Sequence, residues 1–291
     1  MKTVQKIKKI GERFYYMTPV SETDRPILGM IVGDKKILMI DSGNSEAHAQ
    51  YFINELSKKQ ISKPDIVALT HWHWDHIFGL SSLTNTVSIS SKETAEEMKK
   101  LIPLSWSDEA IDERVKEGTE IEFCANAIKE EFVYHRDITI TLPTLTFENR
   151  LEIDLGGVTC ILQQVGGDHA SDSVVAYIKE EKVLFLGDCI YPDIFSYKTN
   201  YTIERILSLL EVLEAFEAET YIYSHGTDIS KKEFNQEVIL LKSIAKYTEL
   251  SKGDKESIKD AYSKQVEREL NDEELETIEF FVNGYQMNNE I

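Results

Sequence analysis

Thr70-His71-Trp72-His73-Trp74-Asp75-His76 places three histidines and one aspartate within six residues, directly behind the run Asp65-Ile66-Val67-Ala68-Leu69. That run is short, rich in β-branched residues and uncharged after its first position, which predicts a buried strand. The histidine segment is then the loop at the strand's C-terminal end. In extended backbone, residues i and i+2 face the same way, so His71 and His73 converge on one ion while Trp72 and Trp74 point away from it. Where the chain bends, Asp75 and His76 serve a second ion beside the first. Imidazole and carboxylate are the donors that zinc and its first-row neighbours prefer. A lone histidine is best explained as a hydrogen-bonded core or surface residue. Three with an aspartate are not, because burying so many ionisable groups without a partner costs several kcal/mol.

Further donors share one position, just past a predicted strand. His169 follows Val158–Val165 through Gly166-Gly167-Asp168, Asp188 follows Val183–Leu186 through Gly187, and His225 follows Tyr221–Tyr223 through Ser224. Ligands of α/β sheets gather at such C-terminal strand ends. His48, in a polar helix, and His135, behind an acidic stretch, lack this context and read as surface residues. Upstream, Ile27–Val32 and Lys36–Ile40 flank Gly33-Asp34-Lys35 as a β-hairpin that leads into Asp41-Ser42-Gly43. A polar helix begins near Ser45, and another strand is expected at Val174–Ile178. Helical patterning covers Lys92–Leu101, Ile203–Glu217, Lys232–Leu250 and two segments after Asp254, the last opening on Asn271-Asp272-Glu273-Glu274 as a cap with acids in the first turn. Strands alternate with helices in both halves, so the class is α/β or α+β.

The chain has 291 residues, and its 32 Lys and Arg against 51 Asp and Glu give a net charge of −19. So acidic a surface repels phosphate backbones and anionic lipid, which argues against a nucleic-acid or membrane partner. Three cysteines without a CxxC pair exclude a disulfide framework and suit a reducing compartment. The N-terminal residues lack the apolar core of an export signal, so a cytoplasmic protein is expected. One domain over 1–291 is expected, with 101–134 a helical cap insertion and 254–291 a helical C-terminal extension, both of them expected to roof the site or make a homodimer face.

His71-x-His73-x-Asp75-His76, followed in order by His169, Asp188 and His225, resembles the metallo-β-lactamase superfamily, and the likeness takes in Asp41-Ser42-Gly43 and Gly187-Asp188. The resemblance implies a four-layer αβ/βα sandwich with a dinuclear site at one edge of two sheets. One metal would take His71, His73 and His169, the other Asp75, His76 and His225. Asp188 would bridge them, and Asp41 would orient a ligand. Two zinc ions are the expected cofactors, with iron or manganese as alternatives. The implied chemistry is a hydrolase whose metal-bridging hydroxide attacks an ester-like, lactone or thioester carbonyl of a small molecule, with no separate nucleophile. Cys189 reads as a small buried residue beside the ligand, not as a reacting group.

Departures from particular branches narrow the substrate. Secreted β-lactamases usually carry a lysine three residues after a cysteine, whereas Cys189 leads into Ile190-Tyr191-Pro192. Glyoxalase II has basic residues near its C-terminus, but acids surround Lys252, Lys255 and Lys259. Diiron oxygen reductases need an acid where His73 stands. Lactonases carry a tyrosine three residues beyond the bridging aspartate, and Tyr191 stands three beyond Asp188, where its phenol would meet a developing oxyanion. Asp75, Asp188 and Tyr191 are therefore the candidate catalytic residues. The competing readings are a mononuclear iron sulfur dioxygenase, which uses the first three histidines, and a metal-binding module without catalysis.

Overall fold

Val174-Val175-Ala176-Tyr177-Ile178 is buried along its whole length, and its two faces meet different neighbours. Val174, Ala176 and Ile178 join an inner core with Phe14, Ile31, Ile40 and Phe185, while Val175 and Tyr177 join an outer core with Leu209, Leu213 and Phe234. A strand wetted on neither face must lie between two apolar layers, and this one has a sheet on one side and helices on the other.

The computed structural model describes residues 4–134 and 136–289; the expectation for His135 lies outside the described residues. In chain order the first sheet is β1 (Ile7–Ile10), β2 (Phe14–Met17), β3 (Leu28–Val32), β4 (Ile37–Ile40), β5 (Ile66–Ala68), β6 (Val87–Ser91) and β7 (Leu145–Phe147), paired in that order. The second sheet is β8 (Arg150–Asp154), β9 (Thr159–Gln164), β10 (Val174–Ile178), β11 (Val183–Gly187), β12 (Thr220–Tyr223) and β13 (Asp228–Ser230), also paired in sequence order. The helices α1 (Glu46–Ser57), α2 (Trp74–Ile77), α3 (Lys92–Leu101), α4 (Asp108–Glu117) and α5 (Glu122–Glu131) accompany the first sheet. The helices α6 (Ile203–Glu214), α7 (Lys231–Leu250), α8 (Lys255–Val266) and α9 (Asp272–Asn289) cover the second. The result is the four-layer αβ/βα sandwich, with the inner core between the sheets.

Two segments end or sit differently from expectation. The α6 helix stops at Glu214, where Ala215 closes its last turn before the chain returns to β12. His48 is fully buried, because α1 turns His48, Ala49, Phe52, Ile53 and Leu56 inward as one stripe. Its Nε2 lies 3.3 Å from Gln5 Nε2. The α9 cap is as read: Glu274 N donates to Asn271 Oδ1 at 2.8 Å and Asn271 N to Glu274 Oε2 at 2.9 Å. Among the described residues no helix is long and apolar enough to cross a membrane.

Directions within the sheets set where the donors go. Pairing is parallel for β4 with β5 and for β11 with β12. Because β9 and β11 are both antiparallel to β10, they run the same way. The C-terminal ends of β9, β11 and β12 therefore reach one edge of the second sheet, and those of β4 and β5 one edge of the first.

Behind that edge, Asp172 is buried between Trp72 and α3. Neither of its carboxyl oxygens has a well-formed hydrogen bond, and burial pushes the carboxyl up to about 7. An unfolded aspartate titrates near 3.9, so between pH ~4 and ~7 unfolding ionises a group that the fold keeps protonated. In metal-free protein, wild-type stability relative to Asp172→Asn is expected to fall as pH rises through that window and to level off outside it. Chemical denaturation at stepped pH measures the difference, and a flat difference contradicts the reading.

Candidate metal centre

Two close backbone approaches let the donor loops meet. Gly167, at φ +140, brings the His169 loop against the carbonyl of Cys189, where a Cβ would lie 2.4 Å from that oxygen. Gly187, at φ +60, turns β11 beside Thr70, with 3.2 Å left for a Cβ. Only glycine adopts both conformations without strain.

The donors form two groups at the shared edge: His71, His73 and His169, and Asp75, His76, Asp188 and His225. Within each group the ligating atoms lie within 4.8 Å of one another. Asp188 Oδ2 stands between the groups, 3.5 Å from His169 Nε2 and 3.9 Å from His71 Nε2 on one side. On the other it is 3.3 Å from both His76 Nε2 and His225 Nε2. Asp75 Oδ2 lies 3.0 Å from His76 Nε2 and 3.1 Å from His225 Nε2. His73 Nδ1 and His169 Nε2 are 3.0 Å apart. Thus the seven residues named from the sequence come together at one edge, with Asp188 grouped beside Asp75, His76 and His225.

Asp41 supports the first loop. This non-glycine residue sits at φ +59, fully buried. Its Oδ1 accepts Thr70 N at 2.7 Å, and its Oδ2 lies 2.8 Å from His76 Nδ1. Thr70 Oγ1 donates to Asp41 Oδ2 at 2.9 Å and lies 3.1 Å from His71 Nδ1. Both histidines are thereby held with Nε2 turned to the centre. Asp41→Asn keeps the left-handed backbone, which asparagine tolerates, but removes the charge that orients His76. Metal affinity is expected to drop about 10- to 100-fold, and a competition titration against a chromogenic chelator reads it.

Sequence reasoning missed Asp24. It follows a short turn at Ser21–Thr23, with no strand to flag it, yet its Oδ1 lies 3.2 Å from His225 Nδ1. Burial, and then the nearby charge of Asp75, push this carboxyl up to about 7. Its backbone is left-handed, at φ +51, a conformation aspartate adopts more readily than most residues.

The donor set fits divalent ions. His71 Nε2, His76 Nε2, Asp75 Oδ2 and Asp188 Oδ1 are buried and make no hydrogen bond, and orphaned polar atoms of this kind call for a partner. Burial and the neighbouring imidazoles hold His71 and His73 well below the usual histidine range, and burial lowers His169. Those three are neutral bases with lone pairs to give. Burial opposes charge in the second group too, but there the opposite charges win: Asp188 is held low by His225 and His76, and Asp75 by His76 and His225. His76 and His225 are raised by the same carboxylates, so an ion entering this group displaces protons.

A cavity of about 300 Å³ opens onto the centre. His73, Asp75, His169, Asp188 and His225 reach it, and its walls include Trp72, Trp74, Trp106, Phe123, Tyr191 and Phe195. The tryptophans that alternate with ligands thus wall the cavity. Phe78 is instead core, edge-on to Trp106 at 4.8 Å. The 101–134 insertion contributes Trp106, Glu120, Phe123 and Cys124 to the wall, whereas no described residue of 254–291 lines it. The extension acts one step back: Asn283 Nδ2 donates to Thr199 O at 2.9 Å, bracing the loop that carries Phe195. Tyr191 lies with its ring 6.0 Å from that of His169 and 6.3 Å from that of His225, over both donor groups. Burial, and then Asp188, raise its phenol far above the usual range, so it remains a donor. Cys189 is fully buried beneath the site.

Residues 28–225 match the metallo-β-lactamase superfamily, and the chain belongs to that superfamily. Among curated relatives, it is 21% identical over 228 residues to a linear primary-alkylsulfatase of Pseudomonas sp. (strain ATCC 19151), a match covering 72% of this chain and 43% of that protein. It is 26% identical over 219 residues to the beta-lactamase-like protein 2 homolog of Caenorhabditis elegans, covering 72% of this chain and 57% of that one. The chain therefore spans about half the length of these relatives. Among solved structures, a double mutant of the sec-alkyl sulfatase PisA1 aligns with 98% of this chain and 50% of its own, at TM-score 0.66 and 13% identity. A metallo-β-lactamase from Pontibacter korlensis aligns with 81% of this chain and 97% of its own, at TM-score 0.57 and 15% identity.

Proposed function

We propose that this chain is a two-metal hydrolase that opens an ester-like carbonyl, in a lactone or thioester, of a small substrate held in the aromatic cavity. The observation that carries the reading is Asp188, whose Oδ2 faces both donor groups at the cavity floor. Zinc suits a set of histidine and carboxylate donors without cysteine. Two such ions acidify water towards neutral pH and polarise a carbonyl. The chain's own residues do the rest. Asp188 fixes the spacing of the two groups, and Asp24 orients His225 through its Nδ1. The aromatic walls exclude water and position the acyl or alcohol portion, which lowers the entropic barrier to attack. Tyr191 donates its phenol proton towards the oxygen on which charge develops.

Tyr191→Phe is expected to lower kcat about 10- to 100-fold with little change in KM. Initial-rate kinetics on the best substrate decide it, and an unaltered kcat removes the tyrosine from the reaction.

A sulfate ester is the second reading, favoured by the likeness to two alkylsulfatases. Against it, none of the described residues lining the cavity is a lysine or arginine, and Asp24 and Glu120 stand in the wall. The test is proton release, read by a pH indicator, from zinc-loaded protein given short and long acyl-homoserine lactones, acyl thioesters and alkyl sulfates, with and without chelator. Chelator-sensitive release from a lactone or thioester supports the carbonyl reading. Release from the sulfates alone transfers the site to the second reading, and no release from any of them rejects both.

A further inference from the structure

Hydrolysis alone does not account for the make-up of the cavity wall. Trp72, Trp74, Trp106, Phe123 and Phe195 surround the space above the metal centre, and Glu120 is set among them. Glu120 is half-buried, and the hydrogen bond it accepts comes from the adjacent Ile121 N to Oε1 at 3.0 Å. Arg114, whose charge it feels, is turned elsewhere: its guanidinium lies 4.8 Å from the Trp106 ring and donates to Ser105 O at 2.8 Å. The wall's other carboxylate outside the donor groups, Asp24, is engaged by His225. A half-buried carboxylate with one backbone hydrogen bond and no ion pair among the described residues is costly, and burial raises the Glu120 carboxyl accordingly. Aromatic side chains and a carboxylate in one wall suit one kind of ligand group, a cation. An anionic tail would meet Glu120 with no lysine or arginine among the described wall residues to offset it.

We propose that the cavity selects a substrate bearing an alkylammonium group, amine or quaternary, remote from the scissile bond, with Glu120 as its counter-charge and specificity-determining residue. The proposal takes the position of the scissile bond from the carbonyl-hydrolase reading, but the recognition it describes is measurable without turnover. The three tryptophans of the chain all line this cavity, so intrinsic fluorescence reports its occupancy.

Zinc-loaded protein is titrated with choline and with its uncharged carbon isostere, dimethylbutanol. Choline is expected to bind about tenfold or more tightly than the isostere. In Glu120→Gln the ratio of the two affinities is expected to fall towards one. The glutamine oxygen can keep the bond from Ile121 N, and a melting curve checks the fold. Equal affinities in the wild type, or an undiminished preference in Glu120→Gln, overturn the proposal. The acetate esters of the same two alcohols form a second arm, read as proton release. A choline preference in binding with neither ester hydrolysed supports cation recognition and counts against the carbonyl reading.

Discussion

Asp188→Asn is expected to lower kcat about a thousandfold, equivalent to about 4 kcal/mol of transition-state stabilisation, while the fold survives. The carboxylate's Oδ2 faces both donor groups, at 3.3 to 3.9 Å from four imidazole nitrogens. An amide is isosteric but uncharged, and its NH₂ group would point hydrogens at lone pairs needed for metal binding. Both the spacing of the ions and the balance of charge around them would be lost. The fold depends little on this side chain, because Oδ1 makes no hydrogen bond and Oδ2 faces the metal-binding groups. Steady-state kinetics, metal analysis and a melting curve on one preparation measure the effect. Near-normal turnover with two metals bound would mean that Asp188 does not bridge.

The second large effect is on metal binding. His71→Ala combined with His73→Ala removes two of the three donors in the first group, leaving His169 alone there. The expected loss of affinity at that site is about four orders of magnitude. Asp75, His76, Asp188 and His225 remain, so bound metal falls from two per chain towards one. Because His71 is fully buried, truncation also leaves a cavity. Comparing wild type and variant in their metal-free forms separates that packing loss from the loss of ligands. Metal content unchanged at two per chain would remove the assignment of the first group.

The metal donors and the strands that carry them were not equally legible in the sequence. His71 to His76 could be read because a buried strand precedes them and its two-residue period carries into the loop. His169, Asp188 and His225 could be read because β9, β11 and β12 are apolar enough to show where they stop. Strands whose polarity masks them were missed. β6 is Val-Ser-Ile-Ser-Ser, and its serines are buried; Thr144 donates to Ser88 through both its N and its Oγ1 at 2.9 Å, and Ser90 and Ser91 pair with β7. β8, Arg-Leu-Glu-Ile-Asp, alternates as an edge strand does and could have been found. Asp24 and Glu120 were invisible for another reason. Each is one acid in an acidic chain, and its role comes from what the fold brings beside it. The burial of His48 was readable, since it lies four residues before Phe52 on the inward stripe of α1.

The central claim is that this edge of the sandwich holds two divalent ions that hydrolysis requires. The direct measurement strips the protein with chelator, then titrates zinc back while following bound metal and proton release from the lactone and thioester panel. Activity is expected to return in step with the second equivalent of metal per chain and to be indifferent to oxygen. Activity restored by one equivalent of iron, with oxygen consumed in proportion to product, would contradict it and assign the site to oxidation.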